Sequence, residues 1–405
     1  MKHIIIGAGA AGIAAAKTIR KLDRDADITL ISEDTSVHSR CMLGQYLSHE
    51  RNEETLNFVP DDFFLSNRIT WISGEPVGQI DPDSHRIALR SGEQLHYDKL
   101  LIATGAESVI PPIGELRIAK NVFGLRNLSD AQSIVKNVAT GANVIVIGSG
   151  LVGMDAAYGL LQNGINVTVL EMADHILPLQ LDNTAAEAYQ RLFEEHGCKF
   201  LLGEKATNTE TDSNGEIHSI LLENGMKLPC DAVIVAVGVK ANTAYLPADI
   251  LSERGSVNVD NRMQTVLPDI YAAGDVTGLS GIWPNAVKQG RVAACAMLGK
   301  DEAYTDTYAL KNTMNFYGLP TLSLGMYCEV GDETLVRESM SVYERIVLKD
   351  GRIQSILLQG NIDYSGIWQY LIKNKIDIAP YRSKLFRLSY ADFFATEQNG
   401  QYCYR

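Results

Sequence analysis

One pattern occurs twice in this chain: a short apolar strand, a loop with three spaced glycines, and a helix. The first copy is "KHIIIGAGAAGIAAAKTI" at the N-terminus, and the second is "VIVIGSGLVGMDAAYGLL" from residue 144. After each helix, a second apolar strand ends in a glutamate. The glycines are Gly7, Gly9 and Gly12, then Gly148, Gly150 and Gly153, and the glutamates are Glu33 and Glu171. This order of elements predicts two βαβ units, and therefore an α/β fold with two Rossmann-like parallel sheets.

Both loops have the glycine spacing of a dinucleotide site. The first glycine permits a tight turn, the second lets a pyrophosphate approach the backbone, and the third lets helix and strand pack closely. The N-terminus of the helix presents free N–H groups and a partial positive charge to the phosphates. A carboxylate about 20 residues further on accepts hydrogen bonds from ribose hydroxyls. One copy alone is also compatible with a turn that only packs a βαβ unit, but two complete copies favour two bound dinucleotides.

The composition excludes several other classes of function. The chain has 405 residues and a formal net charge of −13, so we expect two or three domains and neither nucleic acid nor membrane as a partner. The longest nearly apolar stretch, residues 4–16, is too short to span a bilayer. The six cysteines are scattered without a CxxC pair, and the eight histidines show no metal-ligand spacing. We therefore expect no metal site and a cytoplasmic location.

A third motif breaks the symmetry between the two halves. An apolar strand in "TVLPDIYAAGDVTG" ends in Gly274 and Asp275, and "GIWPNAVKQGRVAACAMLG" follows as a helix that begins near Pro284. Together with "ATG" at residues 103–105 and "VAVGVKANT" at residues 235–243, these segments resemble the two-dinucleotide-binding-domain flavoproteins, a family of pyridine nucleotide-dependent oxidoreductases. The resemblance implies that FAD occupies the first loop and NAD(P)H the second. It also implies that Asp275 bonds the ribityl chain of the flavin.

The resemblance carries over to individual positions. FAD is expected to contact Gly7, Ala8, Gly9, Ala10, Ala11, Gly12, Glu33, Arg40, Cys41, Val77, Ala103, Thr104, Gly105, Gly274, Asp275, Asn285 and Ala286. NAD is expected to contact Gly148, Gly150, Leu151, Val152, Gly153, Asp155, Glu171 and Gly238. Glu171 would repel the 2′-phosphate of NADPH, so NADH is the expected dinucleotide. Asp155 stands where the family often has a glutamate that reaches the nicotinamide half of NAD.

The helix near Pro284 is expected to point its N-terminus at the N1/C2=O edge of the flavin. There the helix dipole favours the anionic reduced flavin.

The order of the motifs predicts an FAD domain that is interrupted by an NAD domain. We expect residues 1–110 and 243–314 to form the FAD-binding domain, residues 111–242 the NAD-binding domain, and residues 315–405 a small C-terminal α+β domain. In the last, "YERIVLKDGRIQSILLQGN" predicts a hairpin that turns at Asp350 and Gly351, and "GIWQYLIKNK" predicts a short amphipathic helix. This hairpin resembles the C-terminal module of NADH:rubredoxin reductases and of the FAD/NAD portion of nitrite reductases. The aromatic stretch 390–405 either packs on its own domain or docks a partner.

The segment "HSRCML", residues 38–43, leaves the role of Cys41 open. In the family it lies over the reactive edge of the flavin. NADH oxidases, NADH peroxidases and coenzyme A-disulfide reductases have one redox-active cysteine there, whereas rubredoxin and ferredoxin reductases have a motif like Tyr-Ser-Lys/Arg-Pro-x-Leu and use no thiol. Ser39, Arg40 and Leu43 fit the second branch, and Cys41 replaces its proline.

The same segment allows two roles for Arg40. It either lowers the pKa of the Cys41 thiol or lies beside flavin N5 and balances the charge of the reduced flavin. The first glycine loop lacks the histidine that peroxidases of the thiol branch carry. We therefore favour a flavin-only site in which Cys41 lines the pocket.

The sequence thus predicts an NADH-dependent FAD oxidoreductase. It exchanges electrons, through the flavin, between NAD(H) and an iron–sulfur protein, a rubredoxin or a larger iron–sulfur enzyme. The alternative is a thiol-dependent NADH oxidase or coenzyme A-disulfide reductase with Cys41 as the catalytic residue. A non-catalytic FAD-binding subunit is a third hypothesis, which the complete second glycine loop disfavours.

Overall fold

The computed structural model describes residues 1–306, 311–325, 331, 333–363 and 365–404. Contacts within the chain divide it into two compact units. The first consists of Met1–Asp174 and His196–Thr305, and the second of His175–Glu195 and Asp306–Arg405. Each unit has a buried apolar core of its own, which includes Ile5 and Leu101 in the first and Ile346 and Ile356 in the second. Cys328 lies outside the described residues.

The first unit begins with a five-stranded parallel sheet. From edge to edge its strands are β18 (Ile270–Ala272), β7 (Lys99–Ile102), β1 (Lys2–Ile6), β2 (Asp27–Ser32) and β3 (Ile69–Ser73). The strands are short apolar runs because helices cover a parallel sheet on its faces. Helices α1 (Ala10–Leu22) and α8 (Trp283–Met297) pack closely, since a side chain at Gly290 would overlap the carbonyl oxygen of Ala11. A strand from residue 270 thus completes a sheet that starts at residue 2.

Smaller elements surround this sheet. An antiparallel sheet consists of β4 (Val77–Asp81), β5 (Arg86–Leu89) and β6 (Gln94–His96). Three short helices, α2 (Leu43–Leu47), α3 (Glu53–Leu56) and α4 (Phe63–Ser66), follow a single 3₁₀ turn at Arg40–Met42. Cys41 therefore lies within this turn, and α2 follows it directly.

A second five-stranded parallel sheet repeats the first arrangement. From edge to edge its strands are β12 (Lys199–Leu202), β11 (Asn166–Glu171), β10 (Asn143–Ile147), β16 (Ala232–Val235) and β9 (Val122–Phe123). Helices α5 (Leu128–Asn137) and α6 (Leu151–Leu161) accompany it, as does an antiparallel sheet of β13 (Ala206–Thr211), β14 (Ile217–Leu222) and β15 (Lys227–Pro229). The two parallel sheets that the glycine loops predict are confirmed.

Two short antiparallel strands connect the two sheets. They are β8 (Ala106–Ser108) and β17 (Val239–Ala241). Next to them, Oγ1 of Thr104 donates to the carbonyl oxygen of Asn242 at 3.1 Å, and Nδ2 of Asn242 donates back to the carbonyl oxygen of Thr104 at 3.0 Å. The outgoing and returning chains are thus fastened to each other where each leaves its sheet.

The second unit is an antiparallel sheet with helices. Its strands, from edge to edge, are β19 (Lys311–Phe316), β20 (Leu319–Gly325), β23 (Arg352–Gln359), β22 (Tyr343–Lys349) and β21 (Glu333–Glu338). Helices α7 (Asn183–Glu195) and α9 (Gly366–Lys373) belong to the same unit, which ends with a small ribbon of β24 (Phe394–Thr396) and β25 (Tyr402–Tyr404). The Tyr189 hydroxyl on α7 donates to the carbonyl oxygen of Leu319 at 2.6 Å.

The C-terminal hairpin and helix that the sequence predicts are both present. The hairpin turns at Asp350 and Gly351, with positive φ angles of 51° and 69°, which is the geometry of a two-residue turn between twisted strands. In the aromatic stretch at the end of the chain, Phe393 is buried in the core of the unit. Phe394 and Tyr402 are exposed and pair with ring centroids 4.7 Å apart. The stretch is therefore partly packed and partly exposed.

The described residues contain neither a membrane-spanning helix nor a cluster of metal ligands. No helix among them is long and apolar enough to cross a membrane. No group of three or more histidine, cysteine, aspartate or glutamate side chains among them is arranged to hold a metal ion.

Candidate functional site

The first glycine loop joins β1 to α1 and is held by close backbone contacts. Gly7 has a φ of 113°, and a side chain there would overlap the carbonyl oxygen of Ala103. A side chain at Gly12 would overlap the carbonyl oxygen of Gly7. In contrast, a Cβ at Gly9 would meet only Nη1 of Arg40, at 3.5 Å. The first and third glycines thus permit the tight turn and the close packing, and the second leaves the backbone open to a ligand.

A cavity of about 840 Å³ lies at this loop, within the usual size range of cofactor sites. Of the residues expected to contact FAD, all except Gly12 and Asn285 line it. They are Gly7, Ala8, Gly9, Ala10, Ala11, Glu33, Arg40, Cys41, Val77, Ala103, Thr104, Gly105, Gly274, Asp275 and Ala286. The fold therefore brings four separated sequence motifs to the walls of a single cavity.

The first turn of α8 also borders the cavity. Trp283 and Ala286 contribute to the wall, and proline occupies the first turn of the helix, where its missing N–H costs no hydrogen bond. Asn285 is buried away from the cavity, and its Nδ2 donates to Oγ of Ser280 at 3.0 Å. Asn285 thus fixes the start of the helix, and the neighbouring residues reach the cavity.

Arg40 lies beside the first glycine loop. Its Nη2 donates to Oδ2 of Asp34 at 2.6 Å, and its Nε donates to Oδ1 of Asn127 at 3.1 Å. Because Asp34 and Asn127 hold the guanidinium in place next to Gly9, a fixed positive charge faces the position where phosphates approach the loop. This geometry fits the binding of a pyrophosphate.

Asp275 forms an ion pair that the sequence reading missed. Nη2 of Arg126 donates to Oδ2 of Asp275, while Nε of Arg126 donates to the carbonyl oxygen of Ala106 at 3.1 Å. The adjacent Gly274 has a φ of 85°, and its N–H donates to Oε1 of the buried Gln289 at 2.8 Å. Arg126 thus holds the side chain of Asp275, and Gln289 holds the backbone immediately before it.

Cys41 lies on the cavity wall with its side chain exposed to the cavity. The surrounding protein nevertheless limits the solvation of the thiolate, and this desolvation raises the pKa of the Cys41 thiol. Among nearby charges, Arg126 and Arg40 lower that pKa, whereas Asp275 and Asp155 raise it. The sulfur of Cys41 is therefore accessible from the cavity, but its surroundings do not favour the reactive thiolate.

The second glycine loop, between β10 and α6, repeats the geometry of the first. Gly148 has a φ of 99°, and a Cβ there would come within 2.6 Å of the carbonyl oxygen of Ala236. A side chain at Gly153 would overlap the carbonyl oxygen of Gly148, whereas a Cβ at Gly150 would meet no atom within 4 Å. Gly150 is the N-cap of α6, so the free N–H groups of the helix begin at an open position.

The other residues predicted to contact NAD surround this loop. Oε2 of Glu171, at the end of β11, accepts hydrogen bonds from N and Oγ of Ser149, both at 2.8 Å, and Oε1 accepts one from N of Ala173 at 2.9 Å. Leu151 and Val152 form the first turn of α6, with Val152 exposed. A side chain at Gly238 would meet no atom within 4 Å. These residues lie outside the cavity at the first loop.

Asp155 lies one turn further along α6. A Cβ on Gly44 of α2 would be 3.0 Å from both Cβ and the carbonyl oxygen of Asp155, so the two helices touch there. Burial raises the pKa of Asp155 to about 7.

Several lining residues were absent from the sequence reading. Asp34, His38, Arg126, Asn127 and Tyr245 all contribute to the cavity wall. One signal was available: "RNLSD" has an Asn that begins a helix and an Asp three residues later, and the two side chains form a capping box in the structure. That box fixes the chain on both sides of Asn127 and so positions Arg126.

These residues fit FAD. A dinucleotide requires an open glycine loop, a positive charge beside it and a carboxylate for the ribose. The first loop has no room for side chains at Gly7 and Gly12, the Arg40 guanidinium is fixed beside it, and Glu33 follows β2. The cavity has the size for a cofactor and continues past the loop to Asp275 and Cys41.

Comparison with known proteins agrees with this geometry. The model of the family described as "Pyridine nucleotide-disulphide oxidoreductase" matches residues 1–290. The chain is 32% identical over 400 residues to "NADH-dependent phenylglyoxylate dehydrogenase subunit epsilon" of Aromatoleum evansii, covering 95% of this chain and 94% of the relative. It is 31% identical over 307 residues to "3-phenylpropionate/cinnamic acid dioxygenase ferredoxin--NAD(+) reductase component" of Photorhabdus laumondii, covering 73% of this chain and 77% of the relative.

A solved structure agrees with the fold. The reductase in the covalent putidaredoxin reductase–putidaredoxin complex superposes with a TM-score of 0.84 at 25% identity, covering 94% of this chain and 95% of that chain. The resemblance drawn from the sequence is confirmed, as are its expected cofactors, FAD and NAD(H). The chain belongs to the pyridine nucleotide-disulphide oxidoreductase family and is an FAD-dependent NAD(P)H oxidoreductase.

Proposed function

We propose that this protein transfers electrons between NADH and a one-electron protein partner, an iron–sulfur protein or a rubredoxin. The relative from Aromatoleum is a subunit of an NADH-dependent dehydrogenase, and the one from Photorhabdus is a ferredoxin–NAD(+) reductase component. Bound FAD supplies the chemistry that such a reaction needs, because it exchanges electrons in pairs with a nicotinamide and singly with a metal centre. No metal centre is needed in this chain if the partner brings one.

The state of Cys41 is the observation that carries this proposal. A redox-active cysteine needs a thiolate, and the usual way to obtain one is a cationic environment that lowers the pKa. In this cavity, desolvation raises the pKa of Cys41, and two carboxylates offset the two neighbouring guanidinium groups. The thiol is therefore protonated at neutral pH, which favours the flavin-only branch of the family.

The residues at the first loop are proposed to hold FAD along its length. Glu33 would accept bonds from the adenosine ribose at the end of β2. Arg40, fixed by Asp34, would neutralise the pyrophosphate at the loop. Asp275 would accept a bond from the ribityl chain while Arg126 holds it in place. The first turn of α8 would then present its partial positive charge to the reactive end.

The residues at the second loop are proposed to bind NADH in preference to NADPH. The Glu171 carboxylate is held by Ser149 and Ala173, so it cannot turn away from a ligand without losing three hydrogen bonds. A fixed carboxylate accepts bonds from both ribose hydroxyls but repels a 2′-phosphate. The domain assignment belongs to the same proposal, with residues 1–110 and 243–314 around FAD and 111–242 around NAD. A reducing cytoplasm is the proposed location of the protein.

Electron transfer to purified acceptors tests the proposal. The FAD-loaded protein is mixed with NADH and a ferredoxin, and separately a rubredoxin, under anaerobic conditions, and the acceptor's absorbance is followed. We expect reduction of at least one acceptor, with the Cys41→Ser variant within about threefold of the wild type because the thiol has no redox role. Failure of both proteins and of a small one-electron acceptor such as ferricyanide would contradict the proposal.

The second candidate is the thiol-dependent enzyme, an NADH oxidase or coenzyme A-disulfide reductase. Its support is the exposure of Cys41 to the cavity. The same variant separates the two functions: loss of oxygen or disulfide reduction in Cys41→Ser, with flavin reduction by NADH retained, would favour this candidate.

A further inference from the structure

Asp155 lies where the two glycine-loop halves of the first unit meet. It is in the second turn of α6, the helix that the second loop begins. On the other side, α2 follows the turn that carries Cys41 and packs against it at Gly44, where a Cβ would be 3.0 Å from the Cβ of Asp155. The side chain is therefore between the helix proposed to bind NADH and a wall of the proposed FAD cavity.

The Asp155 carboxylate has no hydrogen-bond or ion-pair partner among the residues that the structure describes. Cys41 is close enough for the two charges to interact, and Arg126, Asp275 and Arg40 surround that thiol. From α2, the contact is Gly44, which has no ionisable group. On α6 itself, the nearest ionisable residue is Tyr158, which bonds the side chain of Glu50. The Asp155 carboxylate is therefore available to interact with a ligand that binds between the two halves.

The ionisation of Asp155 is set by burial. Desolvation alone raises its pKa to about 7, and the thiol of Cys41, whose pKa is raised, is still neutral when Asp155 titrates. The carboxyl group therefore changes charge across neutral pH while its neighbour does not.

The oxidised and reduced forms of the dinucleotide differ in the charge of the nicotinamide ring. The ring of NADH is neutral, and the ring of NAD⁺ carries a positive charge. An ionised carboxylate close to the ring stabilises the cation and leaves the neutral ring almost unaffected. We propose that Asp155 distinguishes NAD⁺ from NADH by charge, so that the relative affinity for the two forms depends on whether Asp155 is ionised. This rests on the proposed binding of the nicotinamide dinucleotide at the second loop.

The expected size of the effect follows from the titration. If the ionised carboxylate binds NAD⁺ about tenfold more tightly than the protonated one, the affinity for NAD⁺ relative to the neutral ring rises about fivefold from pH 6 to pH 8. The same linkage makes NAD⁺ lower the pKa of Asp155, so that binding at pH 7 releases about 0.4 proton per NAD⁺. A neutral ring releases none.

Equilibrium binding to the oxidised, FAD-loaded protein tests the proposal. The Kd of NAD⁺ and of 1,4,5,6-tetrahydro-NAD, a neutral-ring analogue that cannot reduce the flavin, is measured from the flavin absorbance at pH 6 and pH 8. We expect the fivefold rise in the wild type, no rise in Asp155→Asn, and the wild-type response in Glu253→Gln, which removes an exposed acid elsewhere in the unit. Asp155→Glu should restore a pH dependence. A wild-type response in Asp155→Asn, or an equal response to both ligands in the wild type, would overturn the proposal.

Proton release by the wild type is a second measurement that does not depend on a variant. In weak buffer with a pH indicator, NAD⁺ should release protons at pH 7 and the analogue should not; release by neither ligand contradicts the proposal. No electron acceptor takes part in either measurement. A protein that binds both ligands as expected but reduces no one-electron acceptor would contradict the proposed function and leave this inference standing.

Discussion

The assignment of FAD to the first loop and NADH to the second can be tested by making the same substitution in both loops. Gly12 and Gly153 are equivalent: a side chain at either would overlap the carbonyl oxygen of the first glycine of its own loop. We predict that Gly12→Ala removes FAD, whereas Gly153→Ala retains FAD and loses reduction by NADH. Each variant should thus affect one dinucleotide and leave the other.

The magnitude follows from the geometry. To bring the new methyl group into ordinary contact, the helix has to move by about 1 Å or more relative to the loop, and overpacking of this kind costs about 1–3 kcal/mol of stability. The same movement displaces the N–H groups at the helix N-terminus from the phosphates. Since a misplacement of 1 Å can cost about 100-fold in rate, we expect the affinity for the corresponding dinucleotide to fall by about 10- to 100-fold.

The assay needs only absorbance. The flavin content of the purified variants is read from the visible spectrum, and the bound flavin is then reduced with NADH and, separately, with dithionite. Gly150→Ala is the matched control for stability, because a Cβ there would meet no protein atom within 4 Å; it should unfold within about 1 kcal/mol of the wild type. Normal flavin content in Gly12→Ala together with loss of flavin in Gly153→Ala would mean that the two loops are assigned the wrong way round.

Three further predictions concern single side chains. Glu171→Ala should raise the KM for NADH about tenfold and narrow the preference over NADPH, because it removes the carboxylate that Ser149 holds in place; an unchanged ratio of kcat/KM for the two dinucleotides would contradict this. Arg126→Met should raise the Kd for FAD about tenfold or more, because Asp275 is then left in the cavity without its ion-pair partner; equilibrium dialysis measures it, and unaltered affinity would refute it. Asp155→Asn should stabilise the protein by about 4 kcal/mol at pH 8 and by little below pH 4, because an acid whose folded pKa is raised to about 7 costs stability as the pH rises from its unfolded value through 7; urea unfolding at both pH values measures the gap, and a constant gap would show that burial of the charge is not the cause.

The parts of the fold that repeat or alternate could be predicted from the sequence. The two glycine loops follow local rules, since the positive φ of Gly7 and Gly148 and the packing of Gly12 and Gly153 are properties of a few consecutive residues. The hairpin at Asp350 was predictable for the same reason. The edge strand Glu333–Glu338 was not, because it is largely exposed and polar and carries no apolar alternation.

The polar network around the cavity was much less predictable. Arg40 bonds Asn127, 87 residues away, and Arg126 bonds Asp275, 149 residues away. No local pattern links such pairs, because they meet only after both sheets have formed. The sequence showed which residues carry the motif, but not which neighbours fix or neutralise them.

The protonation state of the Cys41 thiol was equally hard to predict from the sequence. From the sequence, Arg40 could either activate the thiol or balance the charge of the flavin; in the structure its guanidinium is engaged by Asp34. Desolvation is the main reason that the pKa of the thiol is raised, and the carboxylates of Asp275 and Asp155, distant in sequence, raise it further.

We propose that the bound flavin takes up both electrons of NADH and that Cys41 takes up none. An anaerobic titration of the oxidised, FAD-loaded protein with NADH, followed by the flavin absorbance, tests it most directly. We expect complete bleaching at about one equivalent of NADH per FAD, in Cys41→Ser as in the wild type, because one hydride carries both electrons that a flavin takes up. Consumption of two equivalents by the wild type, with a long-wavelength charge-transfer band after the first that is absent from Cys41→Ser, would show that Cys41 stores electrons and would contradict the account.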